Sequence, residues 1–446
     1  MQHAFLTVDL GFGDAGKGSV VDFLARAHAA HTVVRYNGGP QAAHRVVTGD
    51  VPPHEHVFSQ FGSGTLAGAD THLSRFMLID PPAMEAEAAH LCALGVADPF
   101  RRTTIDGGAL VITPFARAIN RLRELARGAG RHGSCGVGVG EAVADHLRHG
   151  DRVLFARDLA HPRAVAEKLR FLRAAALEKL GELRPLLPEG ETTERELEPL
   201  LDPAWVDWLV ERYADFSRCA RVVPGDYLAE ILRRPGAVVF EGAQGVLLDE
   251  WRGFHPHTTW STTTLANADR LLAEAGYAGR VTRIGITRAY ATRHGAGPFV
   301  SEDAGLTRAL PDARNGDSPW QRGFRVGWLD LVLLRYALEV VGGLDELAVT
   351  CLDRLAALPD LQVCRRYACD GQMLDRLEPA PGPDLAHQER LTGLLARCCP
   401  VLERVADAEE LPDLLAAELG VAVGLVSRGP AAADKRVLGG EVRASA

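Results

Sequence analysis

The chain predicts an α/β fold with a mostly parallel central sheet, a P-loop-like nucleotide-binding loop and helical insertions. Three features predict it: an opening strand that runs through a glycine-rich turn into a helix, the alternation of strand and helix signals that follows, and a long helical stretch near the middle. Residues 4–10 are largely apolar and rich in strand formers, 11–19 form the glycine turn, and 20–29 are amphipathic with helical spacing. A second strand over 31–36 enters another irregular loop at 37–44. Strands over 76–79 and 109–112 precede helices, one starting at Pro81-Pro82 and one running from Pro114 to Arg127, because proline fits the first helical turn. After a glycine-dense loop at 130–140, helices from about 163 to 216, interrupted near Pro185 and Pro188, read as an insertion over about 160–220. Strand signals return at 236–240, 283–290, 344–352 and 421–427. The sequence shows neither an internal repeat nor a Ser/Gly linker, so one elaborated domain over 1–446 is expected.

Composition narrows the function classes. The formal charge of -9 gives no global positive field for a polyanion, and we find no basic patch in the sequence, so nucleic acid is not an expected partner. No stretch approaches the roughly 18 uninterrupted apolar residues of a membrane helix, and membrane association is not expected. The eight cysteines lack paired CxxC spacing and the N-terminus lacks a basic region before an apolar run, which makes a cytoplasmic, thiol-containing protein the expectation. His54/His56 and His255/His257 have no supporting ligand cluster for zinc. Lysine is rare: of 49 basic residues only Lys17, Lys168, Lys179 and Lys435 are lysines, so a lysine inside a glycine loop carries weight.

That loop is Gly11-Phe12-Gly13-Asp14-Ala15-Gly16-Lys17-Gly18-Ser19, which nearly spells the phosphate-binding pattern; Gly18 follows the lysine and the hydroxyl arrives one residue late at Ser19. Glycines let backbone N–H groups close on phosphate oxygens, the helix beginning near Gly18 points its positive end there, and Lys17 is expected to add a mobile point charge. A carboxylate among phosphate-binding amides is repelled unless Mg²⁺ lies between or the carboxylate acts as a base, so Asp14 argues for chemistry in the loop. His44 ends a second loop at a strand's carboxyl end, where open α/β sheets place ligands and where an imidazole can serve as acid or base.

Five motifs then occur together: Gly13-Asp14-Ala15-Gly16-Lys17-Gly18; Asn37-Gly38-Gly39 through Ala42-Ala43-His44; Phe240-Glu241-Gly242-Ala243-Gln244-Gly245 with Leu247-Leu248-Asp249; Gly295-Ala296-Gly297-Pro298-Phe299; and Gly327-Trp328-Leu329-Asp330. In order and spacing they resemble the adenylosuccinate synthetase family over essentially the whole chain. The resemblance implies a homodimeric, Mg²⁺-dependent C–N ligase of purine nucleotide biosynthesis. GTP phosphorylates the 6-oxygen of IMP, and the amino group of aspartate displaces that phosphate.

By the same resemblance Asp14 removes the purine N1 proton, His44 donates to the migrating phosphoryl group, Lys17 and Mg²⁺ spread charge on the γ-phosphate, and Gln244 holds the activated base. Asp14 and Ala43 match the metal positions. The nucleoside triphosphate would lie on Gly13 to Ser19, Arg45, Asp353, Ser427 and Gly429. The acceptor nucleotide would lie on Asn37, Gln41, Ser134, Cys135, Thr259 and Gln244, with Arg148 supplied by a second subunit. The amino acid would lie near Arg322, Phe324 and Arg325.

The departures are as informative. Gln41 stands for the family's Asn, Ala43 for Gly, Arg45 for Thr, and Ser134-Cys135-Gly136-Val137-Gly138 for Thr-Thr-Gly-Arg-Gly; a thiol at Cys135 is a weak donor to phosphate. Thr350-Cys351-Leu352-Asp353 keeps the aspartate that pairs with guanine N1 and N2 hydrogens but loses the family's lysine, and Ser427-Arg428-Gly429-Pro430 replaces Ser-Thr-Gly-Pro, so GTP is the first expectation and ATP the alternative. In the amino-acid loop, Pro319-Trp320-Gln321-Arg322-Gly323-Phe324-Arg325 replaces Thr-Thr-Gly-Arg-Arg-Arg-Arg. Losing one charge-assisted contact of about 1.5–3 kcal/mol weakens a carboxylate about tenfold to 150-fold unless another cation compensates. Three readings stay open: a divergent ligase using IMP or an analogue with an amine donor that is aspartate or another amino acid, an ordinary adenylosuccinate synthetase, and a silent nucleotide sensor.

Overall fold

The computed structural model describes residues 2–50, 53–312, 314–316, 320–321, 323–358 and 360–439. A ten-stranded sheet forms its centre. In chain order its strands are Gln2–Asp9 (β1), Thr32–Arg35 (β2), Asp70–Leu73 (β3), Thr103–Asp106 (β4), Arg221–Val223 (β5), Gly236–Glu241 (β6), Arg280–Arg288 (β7), Glu346–Thr350 (β8), Val423–Ser427 (β9) and Lys435–Val437 (β10). Across the sheet the order is β10-β9-β8-β7-β1-β6-β2-β3-β4-β5, and every pair is parallel except β9 with β10. β1 sits between β6 and β7, so the loop that leaves its carboxyl end meets loops from both neighbours.

β1 is buried on both faces, as a central parallel strand must be. Ala4, Leu6 and Val8 enter one apolar cluster with Phe240 and Leu334. Phe5 enters the opposite one with Val20, Val21 and Leu24 of helix α1 (Lys17–Ala27). Burying each such Leu or Phe contributes about 1.5–3 kcal/mol, enough in sum to fix where the β1–α1 loop opens.

Two helix starts follow the sequence logic. α2 (Pro81–Ala93) is capped by Asp80, which accepts from Ala83 N at 3.3 Å, and α3 (Pro114–Arg127) by Thr113, which accepts from Ala116 N at 3.3 Å. α4 (Val139–His149) follows the glycine-dense loop, and α5 (Pro162–Leu183), α6 (Glu191–Leu201) and α7 (Ala204–Cys219) pack with α3 around Leu122, Leu169, Tyr213 and Phe216.

The strands expected over 76–79 and 109–112 lie outside the central sheet: Leu78–Ile79 and Leu110–Val111 pair with each other in parallel. The central strands in that half are β3 and β4, whose polar sequences hid them. One cross-strand contact joins their buried polar groups, His72 Nδ1 lying 2.9 Å from Thr104 Oγ1, while Thr71 Oγ1 accepts from Gly62 N at 3.0 Å and Thr103 Oγ1 donates to Pro99 O at 2.9 Å; burial pushes His72 down to about 4 so that it stays neutral. No helix among the described residues is long and apolar enough to cross a membrane.

Candidate functional site: a glycine loop met by two neighbouring strand ends

Asp9, the last residue of β1, shapes the glycine loop. One carboxylate oxygen accepts from Gly11 N at 2.9 Å; the other accepts from Ala15 N at 3.0 Å and from Lys17 Nζ at 2.6 Å. Lys17 is therefore a buried, ion-paired cation and not the mobile charge expected of it. Gly13 (φ 95) and Gly16 (φ 90) turn the chain through the left-handed region on either side of Asp14, itself at φ 59. Holding a non-glycine residue there costs of order 1–3 kcal/mol, and such residues cluster at functional sites. α1 begins after Gly16 with no side chain capping it, and Ser19 Oγ turns back to Gly16 O at 3.0 Å, so backbone N–H groups of the first turn remain available to an anion.

His44 lies against that first turn. A Cβ built on Gly18 would stand 2.8 Å from the His44 carbonyl carbon and 2.9 Å from its Cβ, so glycine is what allows the approach. Behind the imidazole, Nδ1 meets Glu241 Oε1 at 2.5 Å, and Glu241 also accepts from Ser63 N at 2.9 Å and from the Ser63 hydroxyl. Burial opposes the Glu241 charge, but buried Arg35, His44 and Ser63 together hold its carboxyl down at about 2. With that carboxylate ionised, Nδ1 carries the hydrogen and Nε2 is the free edge of the ring. Burial lowers the His44 pKa from its ordinary value against the pull of Glu241, so the ring rests neutral with an anion at its back.

The loop leaving β6 closes the other side. A Cβ on Gly245 would strike Gly11 O and Gly13 N, so the two loops interlock backbone to backbone. Gln244 sits at φ 59 and its Oε1 is buried with no hydrogen-bond partner; both amide atoms of Gln41 are likewise buried and unpaired. Buried amides without partners call for a ligand or water. Asn37, expected to bind substrate, is committed to the fold: its amide donates to Ala243 O at 3.0 Å and accepts from Ala243 N at 2.7 Å, clamping the β2 and β6 loops together.

Two and three strands from β1, the ends of adjacent β8 and β9 bring Asp353 and the Ser427 to Gly429 turn to one rim, and Thr350 Oγ1 donates to Ala15 O at 2.7 Å, joining that rim to the glycine loop. Ser427 Oγ turns to Gly429 O at 2.9 Å. Arg45 is held by Glu55, at 3.0 and 2.9 Å, on the hairpin that also carries His44. Ala43, just before His44, is exposed.

On the opposite side Ser134 exchanges hydrogen bonds with Asn120 at 3.0 Å, and burial raises the Cys135 pKa, keeping a neutral thiol. Trp320 covers Gly136, and Arg121 donates to Gly136 O at 2.8 Å. The Thr259 segment meets the Gly295 to Pro298 loop through His257 beside Gly297, whereas Arg148 is exposed on α4 and is not brought to these loops. Pro319 and Arg322 lie outside the described residues. Phe324 packs on His294, with ring centroids 4.8 Å apart. Arg325 is engaged by Glu302 at 2.6 Å and by the carbonyls of Gly295 and Gly297 at 2.7 and 3.0 Å.

Sequence reasoning assigned no role to Asp9, Arg35, Arg288 or His294 and quoted Glu241 only as part of a motif. Asp9 and Glu241 carried a usable signal: each is a carboxylate ending a central strand immediately before a glycine loop. Arg35, Arg288 and His294 carried none, because their partners come from distant segments. Among the described residues no group of three or more His, Cys, Asp or Glu side chains forms a metal cluster, so a cation here would rest on Asp14, backbone and ligand oxygens. That donor set suits Mg²⁺, which takes few protein carboxylates and substrate phosphates.

Comparison with known proteins agrees with this architecture. The family described as adenylosuccinate synthetase matches residues 7–434. The adenylosuccinate synthetase of Clostridium novyi (strain NT) is 32% identical over 424 residues, covering 92% of this chain and 91% of its own. That of Myxococcus xanthus (strain DK1622) is 34% identical over 409 residues, covering 90% and 89%. The fully ligated adenylosuccinate synthetase from Plasmodium falciparum shares the fold with a TM-score of 0.77 at 19% identity, covering 97% of this chain and 99% of that one. The succinoaminodeoxyadenylate synthetase of cyanophage S-2L, bound to dGMP and to dATP as an energy donor, has a TM-score of 0.60 at 17% identity, covering 98% and 95%. The chain belongs to the adenylosuccinate synthetase family of C–N ligases.

Proposed function

We propose that the chain phosphorylates the 6-oxygen of a purine nucleotide, IMP or an analogue, from a nucleoside triphosphate, and then joins the same carbon to the amino group of an amino acid. Asp14 accepts the N1 proton, so electron density moves to O6. O6 attacks the γ-phosphorus and the nucleoside diphosphate leaves. The amine attacks C6, the C–O bond breaks, and inorganic phosphate leaves with the oxygen. An oxo group leaves badly and phosphate leaves well, so two easier steps replace one hard one. The observation that carries the reading is the pairing of Asp14 and Gln244, two strained residues on interlocked loops, with the Gln244 oxygen buried and unpaired.

His44 points its free nitrogen from a ring backed by ionised Glu241, which stabilises the imidazolium as negative charge approaches. Lys17 acts through its ion pair, fixing Asp9 and hence the loop amides. When bound, Mg²⁺ supplies charge neutralisation at the phosphates, held by Asp14 and the backbone near Ala43. GTP is the proposed donor, its base toward Asp353, with ATP as the alternative. The exposure of Arg148 supports a homodimer in which it reaches a second subunit's acceptor site. All eight cysteines are free of disulfides, which supports a cytoplasmic setting.

Phe324 and the prior engagement of Arg325 support an amine donor other than aspartate, because both reduce the charge available to a second carboxylate. The relatives named above support the ordinary reaction with aspartate. Incubating the protein with IMP and analogues, each amino acid, and GTP or ATP, read by mass spectrometry and phosphate release, decides between them. Phosphate release that needs triphosphate, acceptor and amine together fits the reading; turnover undiminished in Asp14→Ala removes the assigned base.

A further inference from the structure

Asp14 stands in a left-handed conformation after Gly13 and before Ala15-Gly16, small residues that offer no polar side chain to hold it. Two side chains reach it from β7 and the hairpin arm that follows, Ala291–His294. Arg288 Nε donates to the Asp14 carbonyl. His294 Nε2 lies 3.6 Å from Asp14 Oδ2. Phe324 stands between the two: its ring is 4.8 Å from the His294 ring, tilted 57°, and 5.7 Å from the Arg288 guanidinium carbon. The antiparallel hairpin register pairs Phe324 directly with His294, so the backbone enforces the stack.

One short segment ties the two ends together. Arg288 lies 3.7 Å from Asp312, Asp312 accepts from Asn315 Nδ2 at 3.1 Å, and Asn315 Oδ1 lies 3.2 Å from His294 Nε2. The result is a closed circuit of five side chains with Asp14 against two of them, and it touches Asp14 at both its backbone and its carboxylate.

We propose that Arg288, Phe324 and His294 form a positioning column for Asp14, in which Arg288 fixes the backbone, His294 fixes the carboxylate and Phe324 sets the spacing between them. Phe324 then serves the proton-accepting step more than recognition of the amino acid. This inference rests on the reading of Asp14 as the base.

The test compares Phe324→Leu, Phe324→Tyr and His294→Gln in the full-length protein, using whichever acceptor and amine give turnover, with melting temperatures as a folding control. A displacement of about 1 Å costs on the order of 100-fold in rate, so Phe324→Leu is expected to lower kcat about tenfold or more with the amine-donor KM within twofold. Phe324→Tyr, which keeps the ring, should retain kcat, and His294→Gln, which keeps a donor, should fall between. An unchanged kcat with a shifted donor KM in Phe324→Leu would overturn the column and make Phe324 a pocket wall. Turnover surviving in Asp14→Ala would instead remove the base itself. Hydrogen exchange of the unliganded protein adds a readout that needs no substrate: amides of residues 13–16 should exchange about tenfold faster in Phe324→Leu, and unchanged rates contradict the proposal.

Discussion

The two ends of the site are built on different principles. At the phosphate end, the carboxyl ends of β1, β2 and β6 converge, and short buried bonds lock them: Asp9 to Lys17, Glu241 to His44 and Ser63, Asn37 to Ala243. At the amino-acid end, groups come from a two-stranded hairpin and loops, and Arg325 is shared among Glu302, Gly295 O and Gly297 O. The first end is anchored in the sheet core and tolerates little change. The second rests on side chains that can be exchanged one at a time.

Substitutions can break this comparison, beginning with the largest effect. Asp14→Ala is expected to lower kcat by about 100-fold to 10,000-fold, the usual worth of a positioned general base, with the melting temperature kept. Glu241→Gln leaves buried Arg35 without its counter-charge and should cost about 3–5 kcal/mol in chemical denaturation, besides slowing turnover. Because the Glu241 carboxyl is held at about 2 in the fold and near 4.5 outside it, that stabilisation is complete above about pH 4.5 and lost as pH falls toward 2.

A pH profile sharpens the same end. His44 must be protonated to donate through Nε2, and burial lowers its pKa, so kcat/KM for the triphosphate should decline as pH rises from below about 6.5. In Glu241→Gln that decline should begin at still lower pH. The smallest expected change lies in the acceptor pocket: Cys135→Ser trades a weak thiol donor for a hydroxyl, and a hydrogen bond of about 0.5–1.5 kcal/mol should lower the acceptor KM by about twofold to tenfold. No change in that KM would place Cys135 away from the acceptor.

The sequence made the phosphate end readable because its signals are local. Gly11 to Ser19 is one continuous turn, and Gln244 sits in a motif whose glycine, Gly245, is required by contact with Gly11 and Gly13. Lys17 was recognised but its state was not, since nothing local says that Asp9 would take it up. β3 and β4 were missed because Asp, Thr and His make up most of their eight residues, and the partners that make Thr71, Thr103 and His72 tolerable inside, Gly62 N, Pro99 O and Thr104, are invisible to a periodicity argument. Around Phe324 the sequence showed a lost arginine; that the ring would stack between His294 and Arg288 depends on residues some 30 positions away.

The account turns on Asp14 initiating transfer to the acceptor oxygen before any amine is needed. Oxygen isotope exchange between the β,γ-bridge and β-nonbridge positions of GTP, measured with acceptor present and amino acid absent, tests this directly. The account predicts exchange that requires the acceptor and disappears in Asp14→Ala; exchange without acceptor, or exchange that persists in that variant, would contradict it.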